Sequence, residues 1–156
     1  MPKTAIPDLQ NEVPKPHPVL GCLLGAYDYS IIGEPGGLTQ FGVHIEVLRP
    51  GSKSSLRHWH ETKDEMIYML SGEVVLIEEA ETRLCKGDAA CWPVGAATTQ
   101  CLENRSDAYA SYLTIGARNQ LDTIHYPDHN LITHKDGAAR RYSQSDGSPY
   151  PERTSK

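Results

Sequence analysis

Short stretches in which apolar and polar residues alternate, each closed by glycine or proline, most constrain the fold of this chain. The clearest one runs over residues 41–48, where one face would carry Phe41, Val43, Ile45 and Val47 and the other His44, Glu46 and Leu48. Similar short segments lie at 65–70, 73–78, 82–85, 89–92, 100–103 and 109–115. With 13 glycines, 11 prolines and no clear amphipathic helix, the pattern predicts an all-β sandwich or barrel. Ser71-Gly72 predicts a tight hairpin turn between the second and third stretches.

The regions outside these stretches differ from them in composition. Residues 1–20 contain five prolines, which disfavour helix and internal strand, so we expect residues 1–40 to form a Pro-rich arm. The alternation covers residues 41–116, the predicted barrel. Residues 117–156 are more polar and are expected to form a C-terminal arm across the barrel with a disordered end.

Composition excludes several classes of partner. The net charge is −5, without a cluster of Lys or Arg, so we expect no nucleic-acid partner. No apolar run approaches the roughly 18 residues of a membrane span, and we expect no membrane partner. The N-terminus lacks the apolar segment of a secretory signal, and the four cysteines form no CxxC pair. We therefore expect a cytoplasmic protein with reduced cysteines.

His58 and His60 carry the strongest chemical signal. Residues two apart on a strand point to the same side, so both imidazoles would face one way while Trp59 faces the other. Glu65 opens the next strand and could bring its carboxylate to the same point. Two imidazoles and one carboxylate with open positions suit a divalent metal such as Fe, Mn, Ni, Co or Zn. His44 and Glu46 share a strand face that could lie near this site.

Glycines around these residues make the chain resemble the cupin superfamily. Gly51, six residues, His58-x-His60, four residues, Glu65, six residues and Gly72 are similar to the first cupin motif, with an opening spacer one residue longer than usual. Gly87, five residues and Pro93-x-Gly95, later followed by Asn104, are similar to the second motif. The resemblance implies a small antiparallel double-stranded β-helix, a jelly-roll barrel with the metal inside, flanked by extended N- and C-terminal arms. The flanks also look like those of single-domain bacterial cupins whose substrates are largely unassigned, although many are labelled as sugar-phosphate isomerases.

One position departs from that family. The second cupin motif normally supplies a third histidine four residues before its Asn, and counting back from Asn104 reaches Gln100. A two-residue insertion near Ala96-Ala97 would explain the longer spacing after Gly95, and the other register places Thr98 at the ligand position. The predicted metal ligands are therefore His58, His60, Glu65 and Gln100, whose amide oxygen is weaker than an imidazole.

These features leave three functions open. The first is a metal-dependent enzyme that acts on a small oxygenated metabolite by isomerase, epimerase or lyase chemistry. The second is an Fe(II)-dependent dioxygenase. The third is a non-catalytic cupin that binds a small ligand at a degenerate metal site. For an enzyme, the candidate catalytic residues are Glu65, His44 and Glu46. We expect a small-molecule substrate and, because exposed sheet edges favour pairing, a homodimer.

Overall fold

The structure, a computed structural model, describes residues 3–12, 16–21 and 27–151. Strands dominate it, which confirms the all-β prediction, and a single 3₁₀ turn at Pro127–His129 is the one helical element in these ranges. The strands are β1 (Gln10–Glu12), β2 (Tyr27–Ile31), β3 (Phe41–Leu48), β4 (Trp59–His60), β5 (Glu65–Ser71), β6 (Glu73–Ile77), β7 (Glu81–Cys85), β8 (Ala89–Trp92), β9 (Cys101–Glu103), β10 (Ala110–Ala117), β11 (Leu121–Tyr126), β12 (Leu131–Asp136) and β13 (Ala139–Ser143). Within the described ranges no helix is long and apolar enough to cross a membrane.

All strand pairs are antiparallel, and they form three sheets. The largest has the order β1-β2-β3-β10-β5-β8, the second β13-β12-β11-β4 and the third β7-β6-β9. The apolar core lies in the barrel formed by the first and third sheets and includes Leu48, Met69, Val74 and Leu76. Leu48 is fully buried, so the face of β3 that also carries His44 and Glu46 is the inner one.

The predicted hairpin at Ser71-Gly72 is wrong. β5 pairs with β10 and β8, whereas β6 pairs with β7 and β9, so the chain turns a corner between two sheets. Gly72 has a φ of +69°, and a Cβ there would lie 2.5 Å from the Tyr109 carbonyl oxygen. The glycine is needed for this close approach rather than for a two-residue turn.

The flanking segments contain more regular structure than the sequence pattern indicated. Within residues 1–40, β2 pairs with β3, and β1 adds an edge strand. Within residues 117–151, β11, β12 and β13 form a meander that pairs with β4. Residues 152–156, where a disordered end was expected, lie outside the described residues. This meander matters for function because β4 carries His60.

Candidate metal centre

His58, His60 and Glu65 meet at one point of the barrel. The ligand atoms of the three side chains all lie within 4.8 Å of one another, and His60 Nε2 is 3.6 Å from Glu65 Oε1. β4 alternates as expected, since Trp59 turns outward and stacks on His125 with ring centroids 4.0 Å apart. The local strand pattern therefore brings together the two imidazoles and the carboxylate.

Both imidazoles are oriented through Nδ1. His58 Nδ1 lies 2.8 Å from the Leu56 carbonyl oxygen, and His60 Nδ1 lies 2.6 Å from Asp122 Oδ2. These partners accept hydrogen bonds, so each Nδ1 carries the proton and each Nε2 keeps a lone pair. Metal-binding histidines commonly have this arrangement. The donor set therefore fits a divalent cation.

Asp122 is the functional residue that sequence reasoning missed. Its carboxylate is buried; Oδ1 accepts a hydrogen bond from the Thr62 hydroxyl at 3.0 Å, while Oδ2 faces His60. Burial raises the pKa of Asp122, but the hydrogen bond and charge of His60, with Thr62 and Lys63, outweigh it and lower the pKa to about 2. The ionised carboxylate makes the His60 imidazole a stronger ligand. Residues 117–156 were expected to form a polar arm, and no local pattern places Asp122 beside His60, which lies 62 residues earlier in the chain.

His58 is held in its neutral state. Burial, followed by the neighbouring His60, lowers the pKa of His58. Its ring stacks on Tyr126 with centroids 5.6 Å apart and an interplanar angle of 28°. A neutral imidazole is the form that binds a metal, so this environment favours ligation over protonation.

Gln100, rather than Thr98, lies beside the centre. Its backbone forms a bridge with His58, and its Nε2 donates a hydrogen bond to Glu65 Oε2 at 3.1 Å. Its Oε1 is buried and has no hydrogen-bond partner among the described residues, a state that a cation would relieve. Thr98 lines a different cavity, together with Arg57 and Glu78.

A cavity of about 140 Å³ adjoins these residues. His58, Glu65 and Gln100 line it, as do Glu46 and Tyr112. The Tyr112 hydroxyl donates to Glu46 Oε2 at 2.8 Å, and burial raises the pKa of both groups. No Lys or Arg of the described residues lines the cavity.

His44, the remaining catalytic candidate, lies two residues before Glu46 on β3. It is not among the residues that line this cavity. The structure therefore brings Glu46 and Glu65 to one cavity and leaves His44 outside its wall.

An antiparallel β-barrel with a His-x-His pair and a carboxylate gathered at one point defines a class of small barrel proteins in which these side chains could hold a metal ion. The chain belongs to the cupin superfamily. The model of the cupin domain matches residues 44–116. No curated protein matches the chain.

Solved structures extend the likeness to the flanks. A sugar phosphate isomerase of the cupin superfamily from Silicibacter pomeroyi is 32% identical, with a TM-score of 0.84, over 92% of this chain and 93% of that one. A protein from Acidithiobacillus ferrooxidans, described as a candidate sugar phosphate isomerase, is 22% identical, with a TM-score of 0.76, over 83% of each chain. A polyketide cyclase from Streptomyces resistomycificus shares the fold at 18% identity and a TM-score of 0.52, over 58% of this chain and 64% of that one. The predicted family resemblance is thereby confirmed.

Proposed function

We propose that this cupin is a divalent-metal-dependent enzyme that acts on a small oxygenated metabolite by isomerase, epimerase or lyase chemistry. One observation carries the proposal. The His58, His60 and Glu65 ligand atoms converge beside a cavity that also contains a buried carboxyl group, Glu46. A Lewis-acid position and a proton-transfer group in one small cavity are the two components that this chemistry needs.

His58, His60 and Glu65 would hold the metal, and the Gln100 amide oxygen could add a weak fourth ligand. Two imidazoles and one carboxylate suit Fe, Mn, Ni, Co or Zn. When bound, such an ion polarises a carbonyl or stabilises the negative charge of an enediolate. The cupin fold and the His-His-Glu group support a metal, and they leave its identity to experiment.

Glu46 is the best candidate for the proton-transfer group. Burial raises its pKa above that of an exposed glutamate, and a raised pKa favours a carboxyl group that can donate a proton as well as accept one. In an isomerisation it would take the proton from the hydroxyl-bearing carbon next to a carbonyl and return it to the former carbonyl carbon, while the hydroxyl proton moves to the former carbonyl oxygen. The Tyr112 hydroxyl, 2.8 Å from Oε2, holds the carboxyl group in place.

The cavity volume and the relatives suggest which substrates to test first. A cavity of about 140 Å³ takes only the reacting part of a small metabolite. The sugar phosphate isomerase from Silicibacter pomeroyi makes small aldoses, ketoses and their phosphates the first compounds to assay. Because no Lys or Arg of the described residues lines the cavity, a phosphate group would lie outside it.

Metal content and activity together test this function. We expect stoichiometric metal in protein from metal-supplemented medium, its loss in His60→Ala, and no loss in His129→Ala, a histidine outside the centre. Glu46→Gln should keep the metal and lower turnover by about 10²–10⁴-fold. Trace metal that His58→Ala leaves unchanged would exclude the metalloenzyme.

A second function, non-catalytic binding of a small ligand, is favoured by one contact. The Gln100 amide donates to Glu65 Oε2, so a neutral side chain satisfies part of this carboxylate without a cation. A chain with this function would bind a small oxygenated ligand after treatment with a chelator. It would show no turnover with any metal, and Glu46→Gln would change neither result.

We also propose that the chain is a cytoplasmic homodimer. The unpaired state of Cys85, Cys91 and Cys101 supports a reducing compartment. Phe41 is 41% exposed beside an apolar groove on the outer face of the largest sheet, which supports self-association. Light scattering should give twice the chain mass at micromolar concentration, and Phe41→Glu should shift it toward the monomer. A monomer from the unmodified chain would refute the dimer.

A further inference from the structure

One hydroxyl group in the wall of the cavity beside the metal centre has no partner. The hydroxyl-bearing residues that line this cavity are Ser54, Ser55, Tyr112 and Thr114. Ser54, Ser55 and Tyr112 each have a hydrogen-bond partner, at 3.0, 3.3 and 2.8 Å respectively. Thr114 Oγ1 is buried and has no hydrogen-bond partner among the described residues. A buried polar atom without a partner costs free energy, so it calls for an explanation.

The strand register places Thr114 between the two carboxyl groups of the cavity. On β10, Tyr112 lies directly opposite Glu46 of β3. Gly116, on the same strand, lies directly opposite Glu65 of β5. Thr114 is the residue between these two on the inner face, roughly 6.6 Å along the strand from each. A substrate that extends from the metal centre at Glu65 to the proton-transfer group Glu46 therefore has to pass the Thr114 side chain.

The neighbouring side chains do not supply the missing partner. Burial raises the pKa of Glu46 and the nearby Thr114 hydroxyl acts against this effect, but the geometry between the two groups does not make a hydrogen bond. Glu46 Oε2 already accepts the Tyr112 hydroxyl at 2.8 Å. Of the residues directly opposite Thr114, Ile67 has no polar side-chain atom and His44 makes no hydrogen bond with it. The Thr114 hydroxyl is therefore left for a ligand of the cavity.

We infer that the Thr114 hydroxyl binds an oxygen atom of the substrate, between the metal centre and Glu46. The inference rests on the proposed function, because the metal centre and Glu46 define the two ends of the substrate. A threonine hydroxyl can donate to a carbonyl oxygen and accept from a hydroxyl group, so it suits both oxygen atoms of an α-hydroxycarbonyl compound. Thr114 is then a substrate-binding residue that fixes which carbon atom faces Glu46.

Two substitutions at residue 114 test this contact. Thr114→Val removes the hydroxyl and keeps the shape of the side chain, whereas Thr114→Ser keeps the hydroxyl. The probe is dihydroxyacetone, a three-carbon compound with oxygen atoms on adjacent carbons, titrated against zinc-loaded protein and followed by ligand-observed NMR. We expect Thr114→Val to weaken binding about three- to tenfold and Thr114→Ser to bind nearly as tightly as the unmodified protein. Both variants should keep their metal content.

Thr133→Val is the matched control. Thr133 Oγ1 is also buried without a hydrogen-bond partner in the described ranges, but Thr133 lies on β12 and does not line the cavity. Its substitution should leave binding of the probe unchanged. In urea unfolding neither valine variant should be less stable than the unmodified protein, because neither hydroxyl has a partner to lose. A purely structural role of the Thr114 hydroxyl would instead lower the stability of Thr114→Val.

The contact is refuted if the unmodified protein does not bind the probe, if Thr114→Val binds it as tightly, or if Thr133→Val weakens binding as much. It is also refuted if Thr114→Val is destabilised in the absence of ligand. Failure of the proposed function would look different: binding without turnover removes the enzyme and leaves the contact, whereas turnover that Thr114→Val leaves unchanged removes the contact and leaves the enzyme. Circular dichroism checks folding, and Thr114→Ala replaces Thr114→Val if the latter does not fold.

Discussion

Replacement of Asp122 separates the two tasks that its carboxylate performs. In Asp122→Asn the amide oxygen can still accept the His60 Nδ1–H, and its NH₂ group can donate to the Thr62 hydroxyl, which already donates to the Leu121 carbonyl oxygen. The geometry is kept and the negative charge is lost. Asp122→Ala removes both and leaves a buried Nδ1–H without a partner, because the Asp122 side chain is fully buried and that of His60 is 9% exposed.

These differences set the expected magnitudes. Loss of the outer partner of a ligating histidine typically costs 10–100-fold in metal affinity, or about 1.4–2.7 kcal/mol. We expect Asp122→Asn near the lower limit and Asp122→Ala near the upper one. The alanine variant should also lose about 1–3 kcal/mol of stability, since its Nδ1–H is left unsatisfied.

Competition with a chelator of known affinity measures the metal constant, and urea unfolding of the metal-free protein measures stability. Asp136→Asn is the control, because it removes the same charge from the same sheet without contacting His60. Metal binding by both Asp122 variants as tight as that of the unmodified protein would contradict this role of Asp122, and so would an equal loss of affinity in Asp136→Asn.

Three further predictions concern the metal centre and the stability of the barrel around it. Gln100→His should tighten metal binding, because an imidazole replaces a weak amide ligand beside His58. Competition with the same chelator measures the change, and unchanged affinity would show that residue 100 does not bind the metal. Gly72→Ala should destabilise the barrel by more than about 2 kcal/mol in urea unfolding, since φ is +69° and the new Cβ would lie 2.5 Å from the Tyr109 carbonyl oxygen; wild-type stability would contradict the packing. The metal-free protein should lose roughly 1–2 kcal/mol of stability as the pH falls from about 4 to about 2. The pKa of Asp122 is lower in the folded than in the unfolded protein, so the stabilisation by this carboxylate is present above its unfolded pKa and is lost as the pH falls toward its folded pKa. Acid titration of Asp122→Asn should lack this loss.

The local sequence pattern was sufficient to predict which side chains share one face of a strand. Alternation placed His44, Glu46 and Leu48 on one face of β3, and the full burial of Leu48 confirms that this face is internal. The same rule predicted that His58 and His60 share a side, and their rings lie 5.0 Å apart. Side-chain periodicity on a strand is a property of the backbone, so it can be read without knowing the sheet.

Sheet membership is not local, and the sequence interpretation failed there. Ser and Gly at residues 71 and 72 suit both a hairpin turn and a corner between two sheets. Which of the two forms depends on the strands that β5 and β6 pair with, and these lie tens of residues away in the sequence. The contact of His60 with Asp122 spans 62 residues and depends on the pairing of β4 with β11. β4 contains two residues, too few to reveal its partner by pattern.

The position of Gln100 shows how such distant pairing settles a question that counting leaves open. Counting from Asn104 and from Gly95 gives two registers, because an insertion in a loop shifts one count and not the other. The backbone bridge between Gln100 and His58, with hydrogen bonds of 2.9 and 3.2 Å in the two directions, fixes the strand beside the centre, and Gln100 then reaches Glu65. A substitution at residue 100 therefore probes the metal centre, whereas one at Thr98 probes a separate cavity.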